Sequence, residues 1–203
     1  MFWEVRHFPA CTHHVFLSHS REDKDTLIMP VYERLKATGI EPWIDSHHYP
    51  YGSDPCLALQ RGVLTCRHTV FFVTESMLQS PRGWCAFELA YAQILQANLV
   101  HPGATLLNVC LPLHFVPQSH EILPRTVWQT IRNRGSFFDP SRSDDQVAWA
   151  IREITRFLQR EQAQADGMAV AFTVDDRLRN AIPMDNGLQQ RVARFDPQRL
   201  PDE

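Results

Sequence analysis

The chain has 203 residues, 44% of them hydrophobic and 21% charged, the composition of an ordinary globular domain with one core and room for an appendage. A formal net charge of −3 and a pI near 6.4 argue against nucleic acid as the main partner. Five cysteines (Cys11, Cys56, Cys66, Cys85, Cys110) are an odd number without close paired spacing. Reduced thiols and a cytoplasmic location are therefore expected. Met1–Phe8 lacks the continuous apolar core of a secretory signal, and no segment has the length of a membrane span.

In chain order, residues 1–12 form an N-terminal arm and His14–Ser18 is a compact strand. Ser20 and Asp23 have capping-box spacing, with Asp in place of the usual Glu or Gln. Leu27, Ile28, Val31, Tyr32 and Leu35 mark the inner face of a helix that Pro30 bends and Gly39 ends. Ile40–Asp45 reads as a second strand, with Pro42 placing it near a sheet edge. Ser46–Ser53 is a loop rich in turn formers and aromatic rings. Asp54 and Pro55 open a helix through Leu57, Leu59, Val63, Leu64 and Cys66. Thr69–Thr74 is a strand buried on both faces.

Ser80 and Pro81 suit the N-cap and first position of the next helix, which carries Trp84, Phe87, Leu89, Tyr91, Ala92 and Leu95 at helical spacing. Trp84 and Glu88, four residues apart, share a face. Thr105–Leu111 is a fourth strand. Pro112–Arg134 is irregular and then weakly helical from about Thr126, and Gly135–Asp139 is a short fifth strand. A closing helix from Asp144 carries Val147, Ile151, Ile154 and Leu158 on one face, with Trp149 and Phe157 beside them. Residues 167–203 form a C-terminal extension in which Met168–Val174 reads as one more strand or a docking segment. Alternating strands and helices predict an α/β three-layer sandwich, a doubly wound parallel sheet of about five strands.

The ordered pieces resemble a TIR (Toll/interleukin-1 receptor/resistance protein) domain, with the domain placed at residues 13–166. The resemblance rests on Phe16-Leu-Ser-His-Ser-Arg-Glu-Asp ending the first strand, Trp43-Ile-Asp45 ending the second, the Gly-containing loop after it, and Ser80 through Glu88 with its serine, tryptophan, cysteine and glutamate. It implies a flavodoxin-like fold. The chain is most similar to the bacterial stand-alone members, among them the TIR proteins of Thoeris-type antiphage defence.

In that group the resemblance implies cleavage of the nicotinamide–ribose bond of NAD, which is the substrate, with no separate cofactor. The products are ADP-ribose or a cyclic or other ADP-ribose-derived signal, so the activity is that of an NAD glycohydrolase (NAD nucleosidase) or ADP-ribosyl cyclase. The family's glutamate maps onto Glu88. One carboxylate near the ribose can stabilise the positive charge that develops as neutral nicotinamide leaves. Trp84 or Trp43 would wall the ribose or nicotinamide ring. Ser18, Ser20 and Arg21 stand at the end of the first strand, where backbone N–H groups of the next helix and the guanidinium would hold the pyrophosphate. Asp45 would contact ribose or orient the loop, and Tyr49 and Ser80 complete the expected substrate-binding set.

The blander alternatives are a plain helix cap for Ser20, backbone pairing for Asp45, and a buried structural thiol rather than a nucleophile for Cys85. His47 and His48 lack metal-ligand spacing, so no metal is expected. No glycine-rich dinucleotide fingerprint follows the first strand. The resemblance further implies a homo-oligomer built through TIR–TIR contacts of the Ser46–Ser53 loop. It also implies an effector protein reached through a nucleotide messenger, with neither nucleic acid nor membrane as partner. Two other readings stand beside the enzyme: a non-enzymatic interaction or adaptor module, which Pro50 favours slightly, and a nucleotide sensor without turnover.

Overall fold

Successive side chains of a strand point to opposite faces, and the two central strand-like runs hold consecutive apolar residues (Val15-Phe-Leu17 and Val70-Phe-Phe-Val73), so both faces need cover. The computed structural model describes residues 12–48, 52, 54–79, 83–98, 109–125, 127–142 and 145–173. It provides that cover with one five-stranded parallel sheet. The strands are β1 (His13–Ser18), β2 (Pro42–Trp43), β3 (Cys66–Val73), β4 (Val109–His114) and β5 (Ser136–Phe137), in the order β2-β1-β3-β4-β5. This is the flavodoxin-like order expected from the alternation. The helices are α1 (Met29–Ala37), α2 (Asp45–His48), α3 (Pro55–Thr65), α4 (Glu75–Gln79), α5 (Trp84–Asn98), α6 (Ser119–Ile122) and α7 (Gln146–Thr173).

Strand alternation sorts the core. Val15 and Leu17 of β1 and Val70 and Phe72 of β3 face one side, where they pack with Val31 and Leu35 of α1 and with Trp149, Ile154 and Phe157 of α7. Phe16 of β1 faces the other side with Trp43, Val63 of α3 and Phe87 of α5. Phe71 and Val73 share that side with Leu89 and with Trp128 of a 3-10 turn at Val127–Thr130. Burying one such side chain is worth ~1.5–3 kcal/mol, far more than the helix propensity of any residue in these short helices. No helix among the described residues is long and apolar enough to cross a membrane.

Local chemistry explains where elements start and stop. Pro30 has no N–H for the carbonyl four residues back. The chain accordingly winds as a 3-10 turn at Arg21–Asp23 and a π turn at Lys24–Ile28, and α1 begins only where Pro30 falls in its first turn. The predicted single bent helix is thus three windings. At its end Gly39, with φ +83°, donates to the Lys36 carbonyl (2.9 Å) and Ile40 donates to that of Leu35 (3.1 Å), a Schellman stop. Asp54 caps α3 as expected, accepting from Leu57 N at 3.0 Å. That helix runs straight into β3, so Cys66 opens the strand instead of closing the helix.

Several boundaries differ from the sequence expectation. β2 is an edge strand of two residues, and Asp45 already opens α2. The fourth strand lies at Val109–His114 and includes Pro112, which the sequence places in the irregular segment after it; residues 105–108 of the predicted strand lie outside the described residues. A Cβ on Gly135 would stand 2.0 Å from the Pro112 carbonyl oxygen, so this carbonyl faces the β5 side. The nitrogen and oxygen of one strand residue share an edge. The donor that proline lacks is therefore missing where pairing to β5 begins only at Leu113. The inner face of α7 centres on Trp149, Ala150, Ile154 and Phe157, with Val147, Ile151 and Leu158 at its margins. Residues 168–173 continue this helix and do not form a strand. Ser80, Pro81 and the segment 49–51 lie outside the described residues.

Three glycines rank by mechanism. Gly135→Ala combines φ +91° with a backbone clash that no rotamer relieves, and is expected to cost about 3 kcal/mol or more. Gly62→Ala, whose Cβ would meet the Trp43 ring at 2.6 Å, is expected to cost about 1–3 kcal/mol. Gly39→Ala, in open space, carries only the left-handed backbone cost of about 1–2 kcal/mol. Urea unfolding of the three variants checks this order, and a Gly39 effect equal to that of Gly135 would refute the steric argument.

Candidate active site

In a sheet of order 2-1-3-4-5 the chain leaves β1 and β3 toward opposite faces, which opens a crevice at their carboxyl ends. β1 ends at Ser18 and β3 at Val73, with Ser18 level with Phe71 in the register. Two side-chain bridges span this place. Ser18 donates from Oγ to Glu88 Oε2 at 2.5 Å, tying the end of β1 to α5. Asp23, in the turn after β1, accepts from Thr74 Oγ1 at 2.5 Å and from Ser76 Oγ at 3.1 Å, tying that turn to the end of β3. Thr74 in turn caps α4, its hydroxyl accepting from Met77 N at 3.2 Å.

Glu88 is 7% exposed and Ser18 is 1% exposed. Burial pushes the Glu88 carboxyl up to about 8. The Ser18 hydrogen bond pulls it back down, and the negative charge of Asp45 adds to the rise. No described residue donates to Glu88 Oε1. Cys85, three residues earlier on α5, lies against the same group. Burial, and then Glu88 itself, hold its thiol well above the ordinary range, with the Ser18 hydroxyl opposing. The thiolate that a nucleophile requires is thereby suppressed.

Asp45 stands at the rim. Its Oδ1 accepts from Ser46 N at 2.6 Å and lies 3.9 Å from both His19 Nε2 and Lys24 Nζ. His19 donates from Nδ1 to the Leu17 carbonyl at 2.8 Å, since a carbonyl can only accept, and this fixes Nε2 as the edge turned to Asp45. Trp84 is 41% exposed and meets Phe87 edge-on at 6.0 Å, so the ring sits at the outer end of α5 with Glu88 one turn deeper.

The remaining expected site residues fall elsewhere. Trp43 is 5% exposed and stacks on Phe16 at 4.6 Å, in contact distance of Gly62; it is part of the core. Ser20 donates to Glu22, so the capping box with Asp23 does not form, and Arg21 is exposed on the outside of the turn. His48 stacks on Trp43 at 5.6 Å and His47 on Tyr32 at 4.8 Å, so these rings fasten α2 to β2 and α1. Tyr49 and Ser80 lie outside the described residues. Sequence reasoning missed Asp23 as a bridge, together with Thr74, Ser76, His19 and Lys24. The available signal was topological: polar residues closing β1 and β3 become neighbours once those strands pair.

A family model described as TIR domain matches residues 15–143, a span that holds all of β2, β3, β4 and β5 and Glu88. The NAD(+) hydrolase TirS of Staphylococcus aureus (strain MSSA476) is 30% identical over 74 residues, 36% of this chain and 26% of that protein. The 2' cyclic ADP-D-ribose synthase BtTIR of Bacteroides thetaiotaomicron is 25% identical over 81 residues, 40% of this chain and 28% of that protein. The chain thus spans about a quarter of the length of these curated relatives. Among solved structures, the TIR domain of the Toll-related receptor TRR-2 from Hydra magnipapillata matches in fold with a TM-score of 0.51 at 14% identity, covering 73% of this chain and 99% of that one.

The buried titratable groups give stability a defined pH dependence. Burial lowers His68 to about 4, with Arg67 and His14 adding. It also lowers His114 to about 4, with His120 adding and the Arg134 carbonyl opposing. Between about 4 and 6.5 the unfolded chain binds these two protons and the native state does not, so each histidine makes stability rise with pH. Glu88 acts in reverse. Between 4.5 and about 8 the native state keeps a proton that the unfolded chain releases, so stability falls with pH. Two protons against one leave a net rise of about 1.4 kcal/mol per pH unit from 4.5 to 6.5, then a fall of similar slope to about 8. Thermal unfolding should show a maximum near pH 6.5, and Glu88→Gln should remove the alkaline decline. A Glu88→Gln protein less stable than wild type at pH 8 would contradict the assignment.

Proposed function

The chain belongs to the TIR domain family, and from that premise we propose that it cleaves the bond between nicotinamide and ribose in NAD, with Glu88 as the carboxylate beneath the ribose. The observation that carries this reading is a buried carboxyl at the switch point of the sheet, one oxygen anchored to Ser18 and the half-exposed Trp84 one turn above it. The names of the two bacterial relatives, an NAD(+) hydrolase and a cyclic ADP-ribose synthase, support the same substrate.

The chemistry suits the site. Nicotinamide departs as a neutral base from a cationic ring, and the ribose takes on oxocarbenium character, so the transition state needs a negative charge held close in a dry place. In the free protein Glu88 is largely protonated near neutral pH. A pyridinium cation entering beside it favours the ionised form, so substrate binding and carboxyl ionisation are linked. Trp84, at the mouth, supplies the aromatic wall in this proposal, and Trp43 does not. Asp45, at the rim, meets the ribose side, while Ser20, whose hydroxyl proton goes to Glu22, and Arg21, on the outside of the turn, take no part in this proposal. Water attacking the ribose carbon gives ADP-ribose and a proton; a nitrogen or hydroxyl of the same nucleotide gives a cyclic product and a proton. The biological setting proposed, from the family resemblance, is bacterial antiphage defence by a self-associating protein.

A second reading, a non-enzymatic interaction module, is favoured by the exposed Leu57 and Trp84 in the first turns of the neighbouring helices α3 and α5. Nicotinamide release by concentrated protein, with and without extract from phage-infected cells, separates the two. Release is expected, with kcat/KM rising toward pH 8 and falling at least about 100-fold in Glu88→Gln, and product mass distinguishes hydrolysis from cyclisation. Absence of release in every condition would leave the interaction module.

A further inference from the structure

Resting on the NAD-cleaving reading, we propose that Ser18 is a positioning residue for Glu88 and not a substrate ligand: its single hydroxyl proton is committed to Glu88 Oε2, which leaves Oε1 as the oxygen offered to the substrate.

The argument begins with a proton inventory. A serine hydroxyl has one proton to give and otherwise only accepts. Here the proton goes to Oε2 at 2.5 Å. A pyrophosphate beside the end of β1 presents only acceptor oxygens, so the Ser18 side chain has no proton left to donate to it. Burial agrees, since at 1% exposure the hydroxyl is out of reach of a ligand in the crevice. Its backbone closes β1, an interior strand paired to β2 and β3, and Ser18 itself is in register with Phe71 of β3, so the donor is held by the sheet. Thr74 and Ser76, the hydroxyls across the crevice, are committed to Asp23.

The groups that act on Glu88 confirm how much depends on this one bond. Burial and Asp45, from α2, oppose the charged carboxylate, and Ser18 favours it. Cys85 on the same helix stays a neutral thiol, and Asp23 contributes further negative charge nearby. The rim side chains His19 and Lys24 face Asp45. Ser18 is thus the group that favours the ionised carboxyl, and it acts through Glu88 and not on the substrate.

The test has two arms that fail independently. In substrate-free protein, carboxyl-¹³C NMR of glutamate-labelled wild type, Ser18→Ala and Ser18→Thr follows the titration of Glu88, its resonance assigned by its loss in Glu88→Gln. The midpoint is expected to move up by about one to two pH units in Ser18→Ala and to return toward wild type in Ser18→Thr. In the NAD assay, the rising limb of kcat/KM should shift by the same amount, with a ten- to hundred-fold loss at pH 7 that recovers as pH is raised. Ser18→Cys, nearly isosteric with a feeble donor, serves if the alanine variant does not fold. An unmoved titration midpoint, or a raised KM with an unmoved pH profile, would overturn the proposal and return Ser18 to the substrate. Wild-type protein that releases no nicotinamide would fail the NAD reading alone, because the NMR arm still decides the role of Ser18.

Discussion

An ionisable side chain enclosed where water is scarce imposes a cost on everything around it. Raising a carboxyl from its ordinary 4.5 to about 8 corresponds to about 5 kcal/mol of native-state stability at alkaline pH, comparable with the whole margin of a small domain. The fold tolerates this because the cost falls at one point on an otherwise apolar turn of α5, where Cys85, Ala86, Phe87 and Leu89 are all buried. One hydroxyl from the central strands partly offsets it. The sheet order decides that this hydroxyl and this carboxyl meet: only a chain that reverses direction between β1 and β3 leaves a gap between their ends for a helix residue to enter.

The layer architecture was readable because it depends on local repetition. The apolar runs of β1 and β3, the Asp54-Pro55 start of α3 and the Gly39 stop each follow from chemistry within a few residues. What was not readable depends on distant partners. Pro112 reads as the start of an irregular segment until its nitrogen is known to lie on the side where β5 has not yet begun. Thr74 caps a helix, α4, that is too short to show periodicity. Val147 and Ile151 mark a helical stripe, but only the position of the sheet shows that the deepest side of α7 is Trp149, Ala150 and Ile154.

The candidate site divides along the same line. Glu88 and Ser18 were each singled out from the sequence, but their bond joins residues 70 apart. Trp43 looked like a ligand wall because an aromatic at a strand end is ambiguous. Its ring fits over Gly62, where any side chain would collide, and that complementarity makes it a core residue. Asp23 reads as the acid of a capping box because Ser20 precedes it at the right spacing. The hydroxyls of Thr74 and Ser76, more than 50 residues on, compete for the same carboxylate and win.

Among the described residues, both edges of the sheet are formed by strands of only two residues, and one of them contains Pro42. An edge this short offers almost no row of free amide and carbonyl groups to a foreign strand. Lateral growth by strand addition, the route to cross-β aggregates, is therefore closed to the folded domain even when it is crowded. Copies of this chain can be brought to high local concentration and still meet through side-chain surfaces alone, which keeps any assembly reversible.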